Sequence, residues 1–248
     1  MTAMTDPCVA AGDAVTAEPR AHRAAVPAYL ETHYWWAYVH PNAVRIFERQ
    51  WLANIILWGN YRRLAAAALE TLGERLPGRT LQIACVYGNL TERIAARAAA
   101  SGGRLDVVDV LAVQLGNLRR KLPDGLPVRL LRSDAADLKA ADASYDRALI
   151  FFLLHEQPEA VRSATLKEAF RVVRPGGRIV VVEYARPTWW HPLRYLFRPV
   201  LAALEPFALD LWRTDFPDLL PAGAAVAAMT AERRFGGLYQ IVTITVGE

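Results

Sequence analysis

The chain has little of what secreted and membrane-spanning proteins depend on. It contains two cysteines, Cys8 and Cys85, in 248 residues. A disulfide framework is therefore not expected, and a reducing compartment fits better. No stretch of about 18 uncharged apolar residues occurs, which excludes a membrane-spanning helix. Residues 1–25 lack a basic start followed by an apolar run, so we expect a disordered leader without a secretory signal.

The excess of positive charge is small. Lys and Arg number 29 against 25 Asp and Glu, which gives a net charge of +4 and a pI near 9.2. This mild basicity is compatible with anionic lipid or nucleic acid and demands neither. The basic residues are dispersed and no base-pocket motif is present, so nucleic acid is not an expected partner. With 53% hydrophobic residues, the chain is long enough for one α/β domain with a full core.

Alternating patterns from residue 79 onward predict a doubly wound, mostly parallel, seven-stranded Rossmann-like α/β sheet. Strands are predicted over 80–85, 104–108, 128–132, 145–152, 178–182, 233–235 and 238–246. Helices are predicted over 90–100, 111–122 and 160–173. The segment 145–152 is nearly all apolar, which is typical of a strand buried on both faces.

Two segments depart from this alternation. Residues 26–78 are predicted to form a helical, aromatic N-terminal extension, with an Ala-rich helix over 64–76, ahead of the domain at 79–248. Residues 189–220 are aromatic, contain several prolines and carry Arg194, Arg198 and Arg213; we interpret them as an inserted cap. Aromatic residues among arginines suit a segment lying on anionic lipid. The prolines argue against one regular amphipathic helix there.

The segment 80–91, Thr-Leu-Gln-Ile-Ala-Cys-Val-Tyr-Gly-Asn-Leu-Thr, has the layout of a nucleotide-binding first βα turn. Two of its three expected glycines are absent. Ala84 and Val86 stand where glycine would let the backbone approach a ligand, and Gly88 alone remains. A dehydrogenase is disfavoured because its fingerprint requires the missing glycines.

Ligands of open α/β sheets bind beyond the carboxyl ends of the strands. Asp109 follows the second predicted strand and is placed to accept hydrogen bonds from ribose hydroxyls. Asp134 follows the third and can accept from an exocyclic adenine amine. The candidate nucleotide-binding residues are Gln82, Cys85, Tyr87, Gly88, Asp109, Val110, Asp134, Ala135 and Phe151.

The stretch 166–178, Leu-Lys-Glu-Ala-Phe-Arg-Val-Val-Arg-Pro-Gly-Gly-Arg, resembles the region after the fourth strand of class I S-adenosylmethionine methyltransferases. Such enzymes usually place an acid where Gln82 stands, near the ammonium group of the methionine moiety. A carboxylate there favours the charged ammonium. Two interpretations are open: a neutral packing change in an ordinary methyltransferase, or a re-posed methionine tail whose amine is more easily deprotonated.

Aromatic residues are dense ahead of the predicted domain. Phe47, Trp51 and Ile55 recur at helical spacing, which favours packing of N-terminal helices onto the sheet. Other residues combine flat apolar faces with polar tips and are candidates for holding a planar, apolar substrate. These candidates are Tyr34, Trp35, Tyr38, Trp58 and, in the cap, His191.

His155 follows the fourth predicted strand, and a surface-loop histidine and a role in proton transfer are both open interpretations. His40 and Tyr61 are further candidates for catalysis. No spacing of His, Cys, Asp or Glu is diagnostic of a metal site, so metal ligands are not assigned.

Three stretches, 34–45, 58–61 and the Val-Tyr-Gly-Asn-Leu-Thr motif at 86–91, together resemble the rhodoquinone biosynthesis protein family, which is related to quinone methyltransferases. The resemblance runs from about residue 27 to residue 246. It implies conversion of ubiquinone to rhodoquinone, in which an amino group replaces a ring methoxy group. It implies S-adenosylmethionine as the consumed amino donor, assisted by a divalent metal, manganese. It further implies a cytoplasmic enzyme peripherally associated with the inner membrane and its anionic lipid.

Such a reaction needs an unprotonated amine and stabilisation of charge that grows on a quinone oxygen. His40, His155, Tyr61, a nearby Arg or a metal can stabilise that oxygen. Two alternatives are open. One is a conventional methyltransferase of a quinone or lipid-like phenol. The other is a non-catalytic quinone or lipid carrier, which the lost glycines favour and which Asp109 and Asp134 oppose.

Overall fold

The computed structural model describes residues 26–33, 51, 54–55, 57–205 and 207–248. Its strands are β1 (Arg79–Ile83), β2 (Arg104–Asp109), β3 (Val128–Arg132), β4 (Tyr145–Phe151), β5 (Val173–Tyr184), β6 (Val226–Arg234) and β7 (Tyr239–Val246). They form one seven-stranded sheet in the order β3-β2-β1-β4-β5-β7-β6. β7 is antiparallel to β5 and β6, and the other neighbours are parallel. The predicted fold class is confirmed.

The helices are α1 (Ala28–His33), α2 (Tyr61–Leu72), α3 (Leu90–Ala100), α4 (Ala112–Lys121), α5 (Glu159–Val172), α6 (Leu193–Leu204) and α7 (Ala208–Leu211). Short 3-10 turns lie at Leu154–Glu156 and Phe216–Leu219. Within the described residues, no helix combines the length and the hydropathy that crossing a bilayer requires.

The central strands, such as β4 and β5, are buried on both faces because helices cover both faces of the sheet there. Successive residues of β4 show this, since Leu149 packs in one core cluster and Ile150 in the other. Leu64 of α2 and Ile94 of α3 lie in the first cluster, and Leu166 of α5 lies in the second. Full burial of each such side chain contributes about 2 kcal/mol.

Two strand predictions need correction. β5 begins at Val173 rather than at 178, because Val173 already pairs with Tyr145 ahead of a register shift. The sequence Pro-Gly-Gly at 175–177, which falls between the predicted helix and the predicted strand, lies inside this strand. β6 runs over Val226–Arg234 rather than 233–235. It is an edge strand exposed along nearly its whole length, so it lacks the apolar alternation that identifies half-buried strands.

The predicted cap, residues 189–220, contains the twelve-residue helix α6 with Pro199 inside it, the four-residue helix α7 and a 3-10 turn. Within its described residues, no single regular helix spans the segment, as its prolines predicted. One missing backbone donor is tolerated because Phe197 and Leu201 anchor α6 in the core. The predicted leader at 1–25 and most of the aromatic N-terminal stretch, including Phe47, lie outside the described residues.

Candidate active site

A cavity of about 720 Å³ opens at the carboxyl ends of the central strands. Ala84 after β1, Asp109 at the end of β2, Asp134 after β3 and Phe152 after β4 all line it. The chain order of the sheet reverses between β1 and β4. The cavity therefore lies at the switch point where doubly wound folds bind their ligands.

The structure brings together most of the predicted site residues. Those that line the cavity are Trp58, Tyr61, Cys85, Tyr87, Asp109, Val110, Asp134, Ala135, Phe151 and His155. Gln82, Gly88 and His191 do not line it. Tyr34, Trp35, Tyr38 and His40 lie outside the described residues.

The loop between β1 and α3 is held by Asp109. The backbone N–H of Cys85 donates to Asp109 Oδ2 at 2.8 Å, and that of Leu111 donates to Oδ1 at 2.8 Å. Burial raises the pKa of Asp109, although these amides act in the opposite direction. Asp109, which was predicted to accept hydrogen bonds from ribose hydroxyls, thus holds the loop in place.

The backbone of the same loop is constrained at Ala84 and at Gly88. Ala84 has φ 72°, in the left-handed region that favours glycine. Gly88 has φ 83°, and a Cβ placed on it would overlap the Tyr61 hydroxyl oxygen. The loop therefore keeps the backbone shape of a glycine-rich turn at Ala84 without the glycine.

Tyr61, a candidate for catalysis in the sequence analysis, lines the cavity and also positions this loop. Its hydroxyl donates to the backbone oxygen of Tyr87 at 2.8 Å, and its side chain is almost fully buried. On the other side, Gln114 Nε2 donates to the Tyr87 hydroxyl at 2.7 Å. Tyr87 is thereby fixed at both its carbonyl and its ring, at the wall of the cavity.

Gln82 was expected to contact the ligand, and the structure places it behind the loop. It is fully buried, and its Nε2 donates to the backbone oxygen of Ala84 at 3.0 Å. Its Oε1 has no hydrogen-bond partner among the described residues. Gln82 thus supports the left-handed turn at Ala84 and brings no charge to the end of β1.

His155 is buried and pairs with a carboxylate that the sequence analysis missed. Its Nδ1 lies 2.9 Å from Oε1 of Glu183, which is fully buried near the end of β5. The backbone N–H groups of Leu154, His155 and Tyr184 also donate to Glu183. The carboxylate is an acceptor only, so Nδ1 carries a proton. The interpretation of His155 as a surface-loop residue was wrong.

The pair sets the charge of the imidazole. Burial by itself lowers the pKa of His155, but the Glu183 carboxylate outweighs it and raises the pKa to about 9. Glu205 and Glu156 act in the same direction. His155 is therefore a cation at neutral pH, with Nε2 as a donor 3.8 Å from Glu156 Oε1. A lone acid in the apolar run Ile-Val-Val-Val-Glu at 179–183 was the signal for Glu183.

Aromatic rings lead from His155 toward the surface. The His155 and Tyr184 ring centres are 4.9 Å apart, and those of Phe152 and Tyr184 are 5.2 Å apart. Phe197 of α6 follows at 6.3 Å from Tyr184, and Trp58 lies 5.3 Å from Phe197. These rings line the cavity. Their flat faces suit a planar, apolar ligand beside the imidazole.

His191, expected to bind substrate, has a structural role. It is buried, and its Nδ1 accepts from the backbone N–H of Leu193 at the start of α6. Its ring packs so closely on the β6–β7 hairpin that a Cβ on Gly236 would overlap it. It ties α6 to that hairpin.

The metal that the family resemblance implies finds no matching donor set in the described part of the chain. No group of three or more His, Cys, Asp or Glu residues there is arranged to hold an ion. His155 Nε2 also carries a proton at neutral pH, which is unfavourable for coordination.

The comparisons with known proteins agree with this architecture. Residues 80–177 match the family described as Methyltransferase domain. The chain is 29% identical over 204 residues to a demethylmenaquinone methyltransferase of Thermus thermophilus, covering 79% of this chain and 91% of that protein. It is 33% identical over 138 residues to a demethylmenaquinone methyltransferase of Beutenbergia cavernae, covering 55% of this chain and 53% of that protein.

Among solved structures, human N-acetylserotonin methyltransferase in complex with S-adenosylmethionine superposes with a TM-score of 0.61 at 14% identity. The match covers 89% of this chain and 62% of that one. Residues 80–177 are therefore similar to a methyltransferase domain, and the strand order is that of the same doubly wound fold. The chain spans nearly all of the Thermus relative and about half of the Beutenbergia relative. The loop over 84–88 lies within the matched residues.

Proposed function

We propose that this chain is an S-adenosylmethionine-dependent transferase that modifies the ring of a lipid quinone. Relatives named demethylmenaquinone methyltransferase support both the co-substrate and the acceptor class. The observation that carries the proposal is one continuous cavity. It joins the loop, Asp109 and Asp134 at the switch point to the aromatic rings beside His155.

The loop end of the cavity suits a nucleoside. Asp109 and Asp134 line it, and neither carboxylate is consumed by an ion pair among the described residues. Val110 and Ala135 supply apolar walls next to them. S-adenosylmethionine bound there supplies an activated methyl group and an amino group.

The other end suits a quinone ring. Phe152 and Tyr184 present rings against which a planar acceptor can pack. His155 donates from Nε2 to a ring oxygen, because Glu183 holds Nδ1. A buried cation stabilises negative charge on that oxygen. Both a quinolate during methyl transfer and a quinone under attack by an amine carry such charge.

Our first candidate for the transferred group is methyl, which the relatives favour. The acceptor is then an unsubstituted ring carbon of a reduced quinone. The electron-rich ring takes the methyl group, and S-adenosylhomocysteine is released. His155 holds the ring oxygen while the ring carbon loses its proton to water, since the imidazolium cannot accept it.

The second candidate is amino transfer, which the altered loop favours. Gln82 brings no charge where a carboxylate would hold the ammonium form of the co-substrate. Val86 lines the cavity with a side chain where glycine would leave room. A neutral amine can add to a methoxy-bearing ring carbon, from which methanol leaves, and the nitrogen then joins the ring to the α-carbon of the co-substrate. The α-carbon next loses its proton to water and gives its electron pair to the quinone, which forms an imine of the reduced ring. Hydrolysis of that imine releases the keto acid of the co-substrate and a rhodoquinol-type aminohydroquinone.

Isotope labelling separates these candidates. The purified chain is incubated with S-adenosylmethionine carrying carbon-13 in the methyl group and nitrogen-15 in the amine. Acceptors are a demethylated quinol and a methoxyquinone, each with manganese or with a chelator. Carbon-13 in the quinone establishes methyl transfer, and nitrogen-15 establishes amino transfer. Bound but unmodified quinone identifies a carrier and overturns the proposal of a transferase.

A further inference from the structure

Large apolar side chains are exposed in two places on this molecule. Of the ten large hydrophobic residues that are exposed in the described part of the chain, eight lie in segments 51–58 and 189–200. Trp189 is 75% exposed, Trp190 61% and Leu196 54%. Single exposed apolar residues are ordinary, whereas a contiguous patch marks an interaction surface.

Helix α6 carries apolar residues on its exposed side as well as on its buried side. Phe197 and Leu201 point into the core, while Leu196 and Val200 are exposed, one residue away in each case. A helix that only covered a core would carry polar residues on its outer face. The outer face of α6 is therefore built for a second apolar environment.

The two exposed segments meet at the mouth of the cavity. Trp58 contacts Phe197 with ring centres 5.3 Å apart. Ile55, Trp58 and Val200 are exposed and also line the cavity. The apolar surface is thus continuous with the wall that leads to His155.

The charged residues within the two exposed segments have one sign. Residues 186–202 include Arg186, Arg194 and Arg198 and no acidic residue. Residues 51–63 include Arg62 and Arg63 and again no acidic residue. Arg186 and Arg198 are exposed. Aromatic and aliphatic groups that enter the headgroup boundary, flanked by arginines, match an anionic bilayer surface.

We propose that Trp189, Trp190, Tyr195, Leu196 and the flanking arginines form a docking face for an anionic lipid bilayer. The face places the cavity mouth at the bilayer, so that an acceptor with a lipid tail enters without crossing water. The role of the cavity mouth in admitting this acceptor rests on the proposed function. Docking itself does not require any reaction.

Vesicle co-sedimentation of the full chain, without quinone or S-adenosylmethionine, tests the docking face. Wild-type protein should sediment with mixed phosphatidylcholine–phosphatidylglycerol vesicles more than with phosphatidylcholine alone. Trp189→Ser/Trp190→Ser/Leu196→Ser should weaken partitioning at least about tenfold. Arg186→Gln and Arg198→Gln should each weaken it about fivefold, and only on the anionic vesicles. None of these residues lines the cavity.

Matched controls lie at the opposite end of the sheet. Val226→Ser on β6 and Arg104→Gln on β2 remove exposed apolar and basic groups there and should leave binding unchanged. The proposal is overturned if wild-type protein stays in the supernatant. It is also overturned if the triple variant binds vesicles as well as wild-type protein does. A variant that differs from wild type only by losing self-association in the absence of lipid overturns it too. These outcomes do not depend on turnover, so they are separable from failure of the proposed reaction.

Discussion

The two ends of the cavity are built on different principles. At the loop end, backbone geometry is forced: Ala84 adopts a left-handed φ and Gly88 lies against Tyr61. At the opposite end, Glu183 accepts three backbone N–H groups and the imidazole of His155. The loop gives shape, and the buried pair gives a fixed charge. The residues that depart from the usual glycine-rich motif therefore lie at the loop end of the cavity. The imidazole of His155, which is suited to chemistry, lies at the other end.

The largest effect is expected at the buried pair. Glu183→Gln removes the charge that holds His155 as a cation and leaves a buried imidazole with a weaker partner. We expect a loss of about 4 kcal/mol in the free energy of unfolding. Turnover should fall about 100-fold, because the donor to the ring oxygen is lost. Denaturant titration and single-turnover rates measure the two effects.

Glu156→Gln is the matched control, since Glu156 is 3.8 Å from His155 Nε2 and does not bond Nδ1. Glu156→Gln should lower the free energy of unfolding by less than about 1 kcal/mol. If Glu183→Gln is as mild as Glu156→Gln, or leaves the His155 titration unmoved by NMR, the buried pair does not set the charge of the site.

Gly88→Ala comes next and tests the forced geometry of the loop. It places a Cβ at positive φ and against the Tyr61 hydroxyl. We expect a destabilisation of about 3 kcal/mol from the two effects together. Weaker binding of S-adenosylmethionine should follow, because Tyr61 also holds Tyr87. Thermal unfolding and calorimetric titration provide the measurements.

Gly102→Ala separates the two causes. Gly102 has φ +70°, and a Cβ added there would have no atom within 4 Å, so its substitution should cost only about 1 kcal/mol. Equal losses for Gly88→Ala and Gly102→Ala would show that contact with Tyr61 adds nothing.

The charge on His155 also predicts a pH dependence. Its folded pKa, about 9, lies above the ordinary value of 6.5. The pair therefore stabilises the fold fully below about pH 6.5, and this contribution is lost as pH rises through 9. Activity that needs the imidazolium should fall about tenfold per pH unit above that point. A pH–rate profile that is flat from 7 to 10 contradicts this role.

The sequence predicted the sheet because its central strands are apolar on both faces, and it predicted Asp109 and Asp134 because they follow such strands. It could not show that Asp109 anchors Cys85 and Leu111, since backbone partners depend on the folded loop. His191 was misplaced for a related reason. A histidine in an aromatic stretch is equally suited to a ligand or to the packing on Gly236 that the structure shows.

The pairing of His155 with Glu183 was beyond sequence reasoning for a different reason. The two residues lie 28 positions apart and meet only because β4 and β5 are neighbours in the sheet. Tyr61 shows the same limit, since its hydroxyl reaches from α2 to Tyr87 in the loop between β1 and α3. Residue type indicated that both could act chemically. Only packing decided that one faces a buried carboxylate and the other supports the loop.

The smallest effect is expected at Ala84. Ala84→Gly relieves a left-handed φ, which gains about 1 kcal/mol. The added freedom of the unfolded chain offsets most of that gain, so the net change in unfolding free energy should be below about 0.5 kcal/mol. Ala96→Gly, at an exposed position inside α3, should instead cost about 1 kcal/mol. If Ala84→Gly and Ala96→Gly destabilise the fold equally, the backbone at Ala84 is not strained. The loop then does not have the backbone shape that normally requires glycine.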